Sequence, residues 1–231
     1  MLVNEKNFNH IKIHTQYSIC EGAVKIDDLA EHCKANKIKS LGLADSYNLC
    51  GALEFSEKLS KVGTHPIIGT QINLKAHNVL GKVTLYAKTN EGYKNLTNLS
   101  SKSYLNCKET EDPSCDINDL INNNHDLILL TGNYRDFFGK LFYANNIKIF
   151  NDLISLLKKH FNDRIYFEIQ RHNEADEKNY ENHLLNSSKF LKVPLIATQE
   201  VFYLNQDMYE AHDALDALVR KILLMIRIDL S

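Results

Sequence analysis

The first residues in the chain that could do chemistry lie in one short alternating stretch. His10, Lys12 and His14 alternate with Ile11 and Ile13, and a period of two is typical of a β-strand with one buried face. The three polar side chains would therefore lie on the same face of that strand. Imidazoles placed in this way are typical metal ligands, because each donates a lone pair without carrying charge. The lysine between them has no lone pair to donate, so the middle position of the row lacks a ligand.

The composition of the chain is that of an ordinary globular protein. Hydrophobic residues make up 44% and charged residues 24% of the 231 residues, and the formal net charge is -2. The two signs of charge are interspersed, without the long basic run that would indicate tight nucleic-acid binding by this chain alone. No Gly- or Pro-rich linker divides the sequence, so we expect a single domain.

The cysteines and the terminal segments indicate where the protein resides. The number of cysteines is odd and no Cys-x-x-Cys pair occurs, which argues against a disulfide framework and a zinc ribbon; they are Cys20, Cys33, Cys50, Cys107 and Cys115. The first ten residues, MLVNEKNFNH, lack the apolar core of a signal peptide. No apolar run approaches the length that spans a membrane. We therefore expect a cytoplasmic protein with reduced thiols and no membrane contact.

Apolar runs of strand length alternate with amphipathic stretches along most of the chain. The predicted strands cover residues 10–14, 40–45, 66–74, 82–87, 126–131, 164–170 and 193–202. The predicted helices cover residues 26–36, 51–62, 91–103, 145–161 and 176–191, and the polar stretch 106–119 is predicted to be a loop. Alternation of strand and helix is typical of parallel α/β proteins. About seven strands, each followed by a helix or a loop, predict a closed or nearly closed barrel.

Polar residues follow or end several of these strands. Asp45 and Gln71 lie at or near strand ends, and Glu200 comes just after the last apolar run. In barrels of parallel strands, functional groups gather at the carboxyl ends of the strands. We therefore expect these three side chains at one end of the barrel.

Six segments of the sequence together resemble one known family. They are HIKIHTQYS, LGLADSYNLCGALEF, PIIGTQINL, LYAKTNEGYKNLTNL, YFEIQRHNEAD and PLIATQEVFYLNQDMYEAHDAL. In order and spacing they resemble the PHP (polymerase and histidinol phosphatase) domain family, in the form found at the N-terminus of the α subunit of bacterial DNA polymerase III. The resemblance covers about residues 8–218. It implies an α/β fold, a distorted (β/α)7 barrel, which we assign to residues 1–218.

The resemblance also implies a metal site at one end of the barrel in the active members of the family. Those members have His-x-His on the first strand, Asp-His after the second, Glu after the third, His after the EIQR-type strand and Asp-x-His on the last. This chain keeps a ligand-type residue at His14, Asp45, His172 and Glu200. The expected ligands are replaced at Lys12, Ser46, Gln71 and Phe202.

The remaining donors are too few for a hydrolytic metal cluster. Two or three metal ions need several facing donors, including bridging carboxylates. We therefore expect no catalytic residue and no cofactor, with at most one weakly bound divalent metal ion (Zn or Mn) at the four vestigial ligands. We hypothesise that Lys12 takes the place of the cation by pairing with Asp45 or Glu200. In the alternative, Lys12 lies on an outward strand face as a solvated charge.

The histidines also have plain structural interpretations. His10 and His212 are interpreted as hydrogen-bonded structural histidines. His172 is interpreted either as a vestigial ligand or as a remnant without any ligand role.

Two functions follow from the resemblance. In the first, the chain is a non-catalytic module of a replicative polymerase α subunit. Its expected partners are the remainder of that subunit and a separate proofreading 3′–5′ exonuclease subunit, with DNA reached only through the full polymerase. In the alternative, the domain is itself a metal-dependent phosphoesterase or 3′–5′ exonuclease. Metal content discriminates between the two functions.

The end of the chain departs from the family pattern. Residues 219–231 (VRKILLMIRIDLS) are basic and apolar, and they are interpreted as an amphipathic terminal helix or as an atypical tail on a truncated chain. A full α subunit is several times longer than this sequence. We therefore expect a fragment of a longer protein or a split gene product, without the polymerase core.

Overall fold

The computed structural model describes residues 8–105, 107 and 111–219. Nine strands lie in these residues: β1 Lys12–Ile13, β2 Ser40–Ser46, β3 His65–Ala76, β4 Val79–Ala87, β5 Ser114–Cys115, β6 Leu127–Leu130, β7 Ile165–Ile169, β8 Leu195–Ala197 and β9 Glu200–Val201. The helices are α1 Ile26–Asn36, α2 Ala52–Lys61, α3 Asn90–Leu105, α4 Ile117–Asn122, α5 Phe137–Tyr143, α6 Ile147–Phe161, α7 Glu177–Leu191 and α8 Tyr209–Val219, with a 3-10 turn at Gln206–Met208. Apart from Val219, the predicted tail 219–231 lies outside the described residues.

The strands form one curled sheet in the order β8-β7-β6-β4-β3-β2-β1-β9, with β5 beside β3. The segment Leu195–Val201 supplies both ends of this order, because β8 pairs with β7 and β9 pairs with β1. The sheet therefore curls into a barrel through a segment that is interrupted at Thr198 and Gln199. The predicted α/β barrel is confirmed, although the single strand expected over residues 193–202 is divided in two.

One strand departs from the parallel arrangement that alternating strands and helices predict. β4 runs antiparallel to both of its neighbours, β3 and β6. The cause is the two-residue connection His77–Asn78, whose residues both have positive φ, 50° and 60°. Two residues in this conformation make a tight hairpin, whereas a parallel connection needs a crossover of about a dozen residues. The short strand β5 and helix α4 likewise occupy part of the stretch predicted to be a loop.

Strand register sets the height of the polar side chains along the barrel. Ser46, the last residue of β2, lies opposite Gln71 on β3, and Lys12 on β1 lies opposite Glu200 on β9. Gln71 is therefore in the middle of the long strand β3, whereas the sequence predicted it at or near a strand end. It is nevertheless level with the carboxyl end of β2, because β3 continues beyond its neighbour.

Two apolar clusters fill the space between the barrel and the helices. The larger contains Leu129, Phe150 and Phe167, and the smaller contains Ile13, Leu43 and Phe55. The inner faces of the strands are different in character. A small group of Ala44, Tyr86 and Leu130 forms an apolar floor inside the barrel, and the polar side chains lie beyond it.

The floor depends on one glycine. A Cβ on Gly69 would lie 2.3 Å from the ring of Tyr86 and 2.5 Å from the carbonyl oxygen of Leu85. The absence of a side chain at Gly69 lets the Tyr86 ring cross the interior, where its hydroxyl donates a hydrogen bond to the carbonyl oxygen of Ile11 at 2.6 Å. Ile11 immediately precedes β1, so Tyr86 fixes the strand that carries Lys12.

The five predicted helices agree closely with α1, α2, α3, α6 and α7, but three of their apolar side chains do not face the core. Leu53, Tyr93 and Leu156 are 71%, 39% and 38% exposed. In α2 the buried residues are Ala52, Phe55 and Leu59, which share one helical face that Leu53 does not join. Among the described residues, no helix is both long and apolar enough to cross a membrane.

His183 on α7 gives a pH-dependent contribution to stability. Its ring centroid lies 4.7 Å from those of Phe142 and Phe150, and burial lowers its pKa. The folded state therefore disfavours the charged imidazole, so stability is full above the unfolded pKa of about 6.5 and declines as pH falls through the folded value. We expect the difference in melting temperature between pH 7.5 and pH 5 to be smaller in His183→Gln than in the unchanged chain. An equal difference in both would contradict this assignment.

Candidate functional site

Lys12 lies at the centre of the barrel interior. Its side chain is fully buried, and its Nζ lies 3.0 Å from Glu168 Oε1 and 3.3 Å from Glu200 Oε1. Glu168 belongs to β7, whereas Glu200 belongs to β9 beside β1. The ammonium therefore links β1 to its neighbour β9 and also to β7, which is not a neighbour of β1 in the sheet. The alternative that Lys12 is a solvated charge on an outward face is wrong, while Glu200 is one of the two partners we hypothesised.

Glu168 is the functional residue that sequence reasoning missed. Its carboxylate is fully buried and accepts hydrogen bonds from the backbone N–H of Gly132 at 3.1 Å and from Gln170 Nε2 at 2.9 Å, besides the Lys12 ammonium. The hydroxyl of Thr198 also donates to it. One feature of the sequence could have indicated Glu168: it is a carboxylate at the centre of an otherwise apolar strand, Phe167-Glu168-Ile169. A charge in such a position needs a buried partner.

Glu200 connects Lys12 to two other side chains. Gln71 Nε2 donates to Glu200 Oε1 at 2.9 Å, and His14 Nε2 lies 3.3 Å from the same oxygen. The His14 ring stacks on Phe202 with ring centroids 4.5 Å apart. Two of the residues at the predicted ligand positions, His14 and Gln71, therefore contact the Glu200 carboxylate, and a third, Phe202, packs against His14.

A second ion pair lies nearer the mouth of the barrel. Lys82 Nζ is 2.7 Å and 3.0 Å from the two carboxylate oxygens of Glu21 and donates to Ser46 Oγ at 3.1 Å. The Ser46 hydroxyl is also 3.2 Å from Gln71 Oε1, so this pair connects to Glu200 through Gln71. Neither Lys82 nor Glu21 was predicted to belong to the site, because each alone is an ordinary charge at a strand start or in a turn.

Of the two partners hypothesised for Lys12, Asp45 or Glu200, the structure pairs Lys12 with Glu200 and not with Asp45. Its carboxylate accepts hydrogen bonds from the backbone N–H of Thr15 at 2.6 Å, from Thr15 Oγ1 at 2.8 Å and from Ser18 Oγ at 2.7 Å. Successive strand residues point to opposite faces, so Ser46 turns into the barrel and Asp45 turns towards the loop after β1. Burial raises the pKa of Asp45.

Two of the remaining histidines, His172 and His212, lie around the mouth. His172 Nδ1 is 2.8 Å from Glu177 Oε1, and the backbone N–H of His172 donates to the same carboxylate. His212 Nε2 is 2.7 Å from the carbonyl oxygen of Glu21, as a structural histidine would be. His10 is buried and lies just before β1.

A cavity of about 510 Å³ opens above these ion pairs. Its lining includes residues of both ion pairs together with side chains of the mouth, among them Glu21, Lys82, His172, Glu200, Phe202 and His212. Lys12 lies beneath it. The structure therefore brings Glu200, His172 and Phe202 to one cavity, whereas Asp45 does not line it.

Opposite charges decide the protonation of the interior. Burial alone would lower the pKa of Lys12, but the carboxylates of Glu168 and Glu200 outweigh it and raise that pKa. The converse holds for Glu200, where burial raises the pKa and Lys12, as the principal opposing charge, brings it well below the ordinary value. Lys12 also acts on a further carboxyl, that of Asp136, but burial outweighs this charge and raises the pKa of Asp136 to about 7.

The donor set does not fit a metal ion. The carboxylates of Glu168, Glu200 and Glu21 each accept from an ammonium of the protein itself. Within residues 8–105, 107 and 111–219, no group of three or more His, Cys, Asp or Glu side chains is arranged to hold a metal ion. Two fixed positive charges in the same interior oppose the entry of a divalent cation. No chemical step through a metal ion can therefore be assigned to this arrangement.

Comparison with known proteins identifies the class to which this fold and site belong. The family model described as the PHP domain matches residues 10–172, so the chain belongs to the PHP domain family. The family predicted from the sequence is confirmed.

The curated relatives narrow the class further. DNA polymerase III subunit alpha of Vibrio cholerae is 32% identical over 214 residues, which are 91% of this chain and 18% of that protein. The corresponding subunit of Rickettsia conorii is 34% identical over 90% of this chain. The chain is thus homologous to the N-terminal PHP region of this subunit, and it spans about 18% of the length of these relatives.

Solved structures share the fold at low sequence identity. A proposed metal-dependent phosphoesterase from Bifidobacterium adolescentis has a TM-score of 0.56 and 11% identity, covering 90% of this chain and 96% of that one. A two-domain protein from Bacteroides vulgatus, which contains a predicted PHP-like metal-dependent phosphoesterase, has a TM-score of 0.55 and 11% identity, covering 88% of this chain and 55% of that one. These likenesses support the barrel architecture.

Proposed function

We propose that this chain is a non-catalytic structural module of a DNA polymerase III α-type protein. The observation that supports the proposal is the buried Lys12 ammonium between the carboxylates of Glu168 and Glu200, at 3.0 Å and 3.3 Å. In a metal-dependent phosphoesterase, several donor side chains that face one another hold the metal ions, and these ions stabilise the charge that develops on the substrate. Here the interior carboxylates are already engaged with the ammonium groups of the protein, so the barrel retains rigidity without hydrolytic chemistry.

The module is suited to a role as a scaffold. Its interior is cross-linked by ion pairs and hydrogen bonds that join β1 to β7 and β9 and β4 to the turn at Glu21. Such a body can present a surface to other parts of a replicase without moving during their reaction. We infer that its first partner is the remainder of an α subunit, since the curated relatives are about five times longer than the part that matches.

Further partners follow the same proposal. A separate proofreading 3′–5′ exonuclease subunit would bind the module directly, and DNA would be contacted only through the complete polymerase. The site of action would be the cytoplasm, where Cys33 and Cys115, which are buried in the apolar clusters, remain as thiols.

The proposal predicts an inert barrel. The purified chain is expected to contain less than about a tenth of an equivalent of bound metal, and to show no phosphoester hydrolysis with added Mn²⁺ or Zn²⁺, because the donors of a cluster are missing. Elemental analysis measures the metal content, and an assay with a generic phosphoester measures hydrolysis. A Glu200→Gln variant is the control, since activity that persists unchanged in it comes from a contaminant. About two equivalents of metal with turnover that Glu200→Gln abolishes would instead establish a phosphoesterase or exonuclease.

A further inference from the structure

The outward face of β8 is uncovered in the part of the chain that the structure describes. Leu195 on β8 lies in register with Phe167 on β7, so the two side chains share one face of the sheet. Phe167 is 0% exposed beneath the helices, whereas Leu195 is 37% exposed. Helix α8 does not cover β8, because it lies over the mouth of the barrel, where His212 contacts the carbonyl oxygen of Glu21. Helices cover the outward strand faces of α/β barrels, so the helix layer has a gap at β8.

One side of α7 continues this uncovered surface. His183 faces α6, since its ring centroid lies 4.7 Å from that of Phe150. Leu185 comes two positions later, about 200° further around the helix, so it points away from α6 and towards the gap over β8. Its side chain is 37% exposed. The hydroxyl of Ser188 donates to the carbonyl oxygen of Val193 at 2.7 Å, which fixes the end of α7 to the start of β8. Leu185 and Leu195 are therefore apolar side chains on either side of one gap.

Lysines lie on the same side of α7. Lys178, Lys189 and Lys192 are spaced at intervals of four or seven positions from Leu185, and such spacings share a helix face. All three lysines are exposed, and no carboxylate of the described residues lies within 4.0 Å of their Nζ atoms. The acidic residue on this side, Glu181, is already paired with an arginine at 2.6 Å. The gap is therefore bordered by positive charge that the described chain does not neutralise.

Helix geometry explains only part of this charge. Cations are favoured near a helix C-terminus, and Lys158 of α6 already donates to the carbonyl oxygens of Leu191 and Lys192 at 2.5 Å and 2.8 Å. Lys178 lies in the first turn of α7, where the helix dipole disfavours a cation. The lysines beside the gap are thus in excess of what the end of α7 needs.

We propose that the β8 face, formed by Lys178, Leu185, Lys189, Lys192 and Leu195, binds an acidic amphipathic helix from the part of an α-type protein that lies outside this chain. Its apolar side chains would complete the helix layer over β8, and its carboxylates would pair with the lysines. The inference rests on the proposed function, which supplies the source of the helix, since the chain spans only 18% of the Vibrio cholerae relative.

Charge distinguishes this occupant from two others. The terminal segment 219–231 is itself basic, and a second copy of the chain would bring the same lysines to the interface. Both would therefore place like charges opposite each other, which costs free energy. An acidic helix meets no such repulsion.

The experiment uses the full 231-residue chain and overlapping peptides of about 20 residues, long enough for about five helical turns. The peptides cover the Vibrio cholerae α subunit outside the 214 matched residues. We expect acidic amphipathic peptides to bind in fluorescence anisotropy, and to lose at least about tenfold in affinity with Leu185→Ser and with Lys189→Glu. Binding should also weaken as salt is raised, because the lysines are exposed.

Two matched controls test whether the surface is specific. Phe190→Ser removes a more exposed apolar side chain, 79% exposed, from a different face of α7. Lys34→Glu reverses a lysine in the last turn of another helix, α1. Neither change should alter peptide binding. Should Leu185→Ser fail to fold, Lys189→Glu decides, because that lysine is exposed and unpaired within the described residues.

Four outcomes would overturn the inference. The first is that no peptide loses affinity with Lys189→Glu beyond the loss with Lys34→Glu. The second is that single-stranded oligothymidylate binds more tightly than any peptide with the same dependence on Lys189, which would indicate a nucleic-acid surface. The third is self-association that Leu185→Ser abolishes. The fourth is a gain of peptide affinity with Ile226→Glu, which would make the terminal segment the occupant.

Failure of the proposed function is separately visible. Metal-dependent turnover by the unaltered chain would overturn that function whether or not a peptide binds. An inert chain that binds no peptide through the β8 face would overturn this inference alone.

Discussion

Replacing Lys12 by methionine is expected to lower the free energy of unfolding by about 3–5 kcal/mol, the cost of breaking a buried ion pair by removing one partner. Methionine has a similar length, so little packing is lost and the change is mainly one of charge. Glu168 and Glu200, whose side chains are 0% and 15% exposed, would remain without the ammonium that neutralises them. Denaturant unfolding followed by circular dichroism measures the loss.

The control for this loss is Lys94→Met, which removes an exposed ammonium from a helix surface. It should change stability very little, since solvent screens such pairs. The loss in Lys12→Met should also become smaller at acidic pH, because the stranded carboxylates can then take up protons. If Lys12→Met melts at the same temperature as the unaltered chain, the ammonium does not hold the interior together.

Replacing Glu168 by alanine is expected to cause a loss of the same order, about 3–5 kcal/mol. The buried carboxylate accepts from Lys12, from the Gly132 backbone and from Gln170. Alanine would leave all these donors without their acceptor and would open space in the interior, and each unsatisfied donor costs about 1–3 kcal/mol. Equilibrium unfolding measures the loss, with Glu168→Gln as a control that preserves shape and removes the charge.

The double variant Lys12→Met with Glu168→Ala tests whether the two effects share one interaction. Its loss should be smaller than the sum of the single losses by about 0.5–3 kcal/mol, the range found for residues in direct contact. Purely additive losses would show that Glu168 and Lys12 stabilise the fold independently. That result would also weaken the proposed function, which depends on their pairing.

Together these interactions explain how the charged interior of this PHP barrel is stabilised. Charges of the chain itself neutralise the interior carboxylates, and this arrangement holds the strands from within. Burial raises the pKa of a further carboxyl, that of Asp136, to about 7, although the charge of Lys12 opposes this rise.

The sequence by itself determined most of the elements and the family. The periodicity of two around Lys12 predicts the first strand, and the apolar spacing in residues 26–36 predicts helix α1 at the bounds that the structure has. These features follow from local backbone geometry, which a few neighbouring residues decide. The six family segments likewise need no tertiary information, because their order along the chain is visible directly.

Only the tertiary structure decided which charges meet. Lys12 and Glu168 are 156 residues apart in sequence, and no local pattern relates them. The closure of the barrel brings β7 to face β1, so the partner of Lys12 is Glu168 rather than Asp45. Asp45 was excluded because side chains alternate between the two faces of β2, and the turn containing Thr15 and Ser18 takes its carboxylate. Charge pairing across the barrel depends on strand order and register, which residue types alone do not specify.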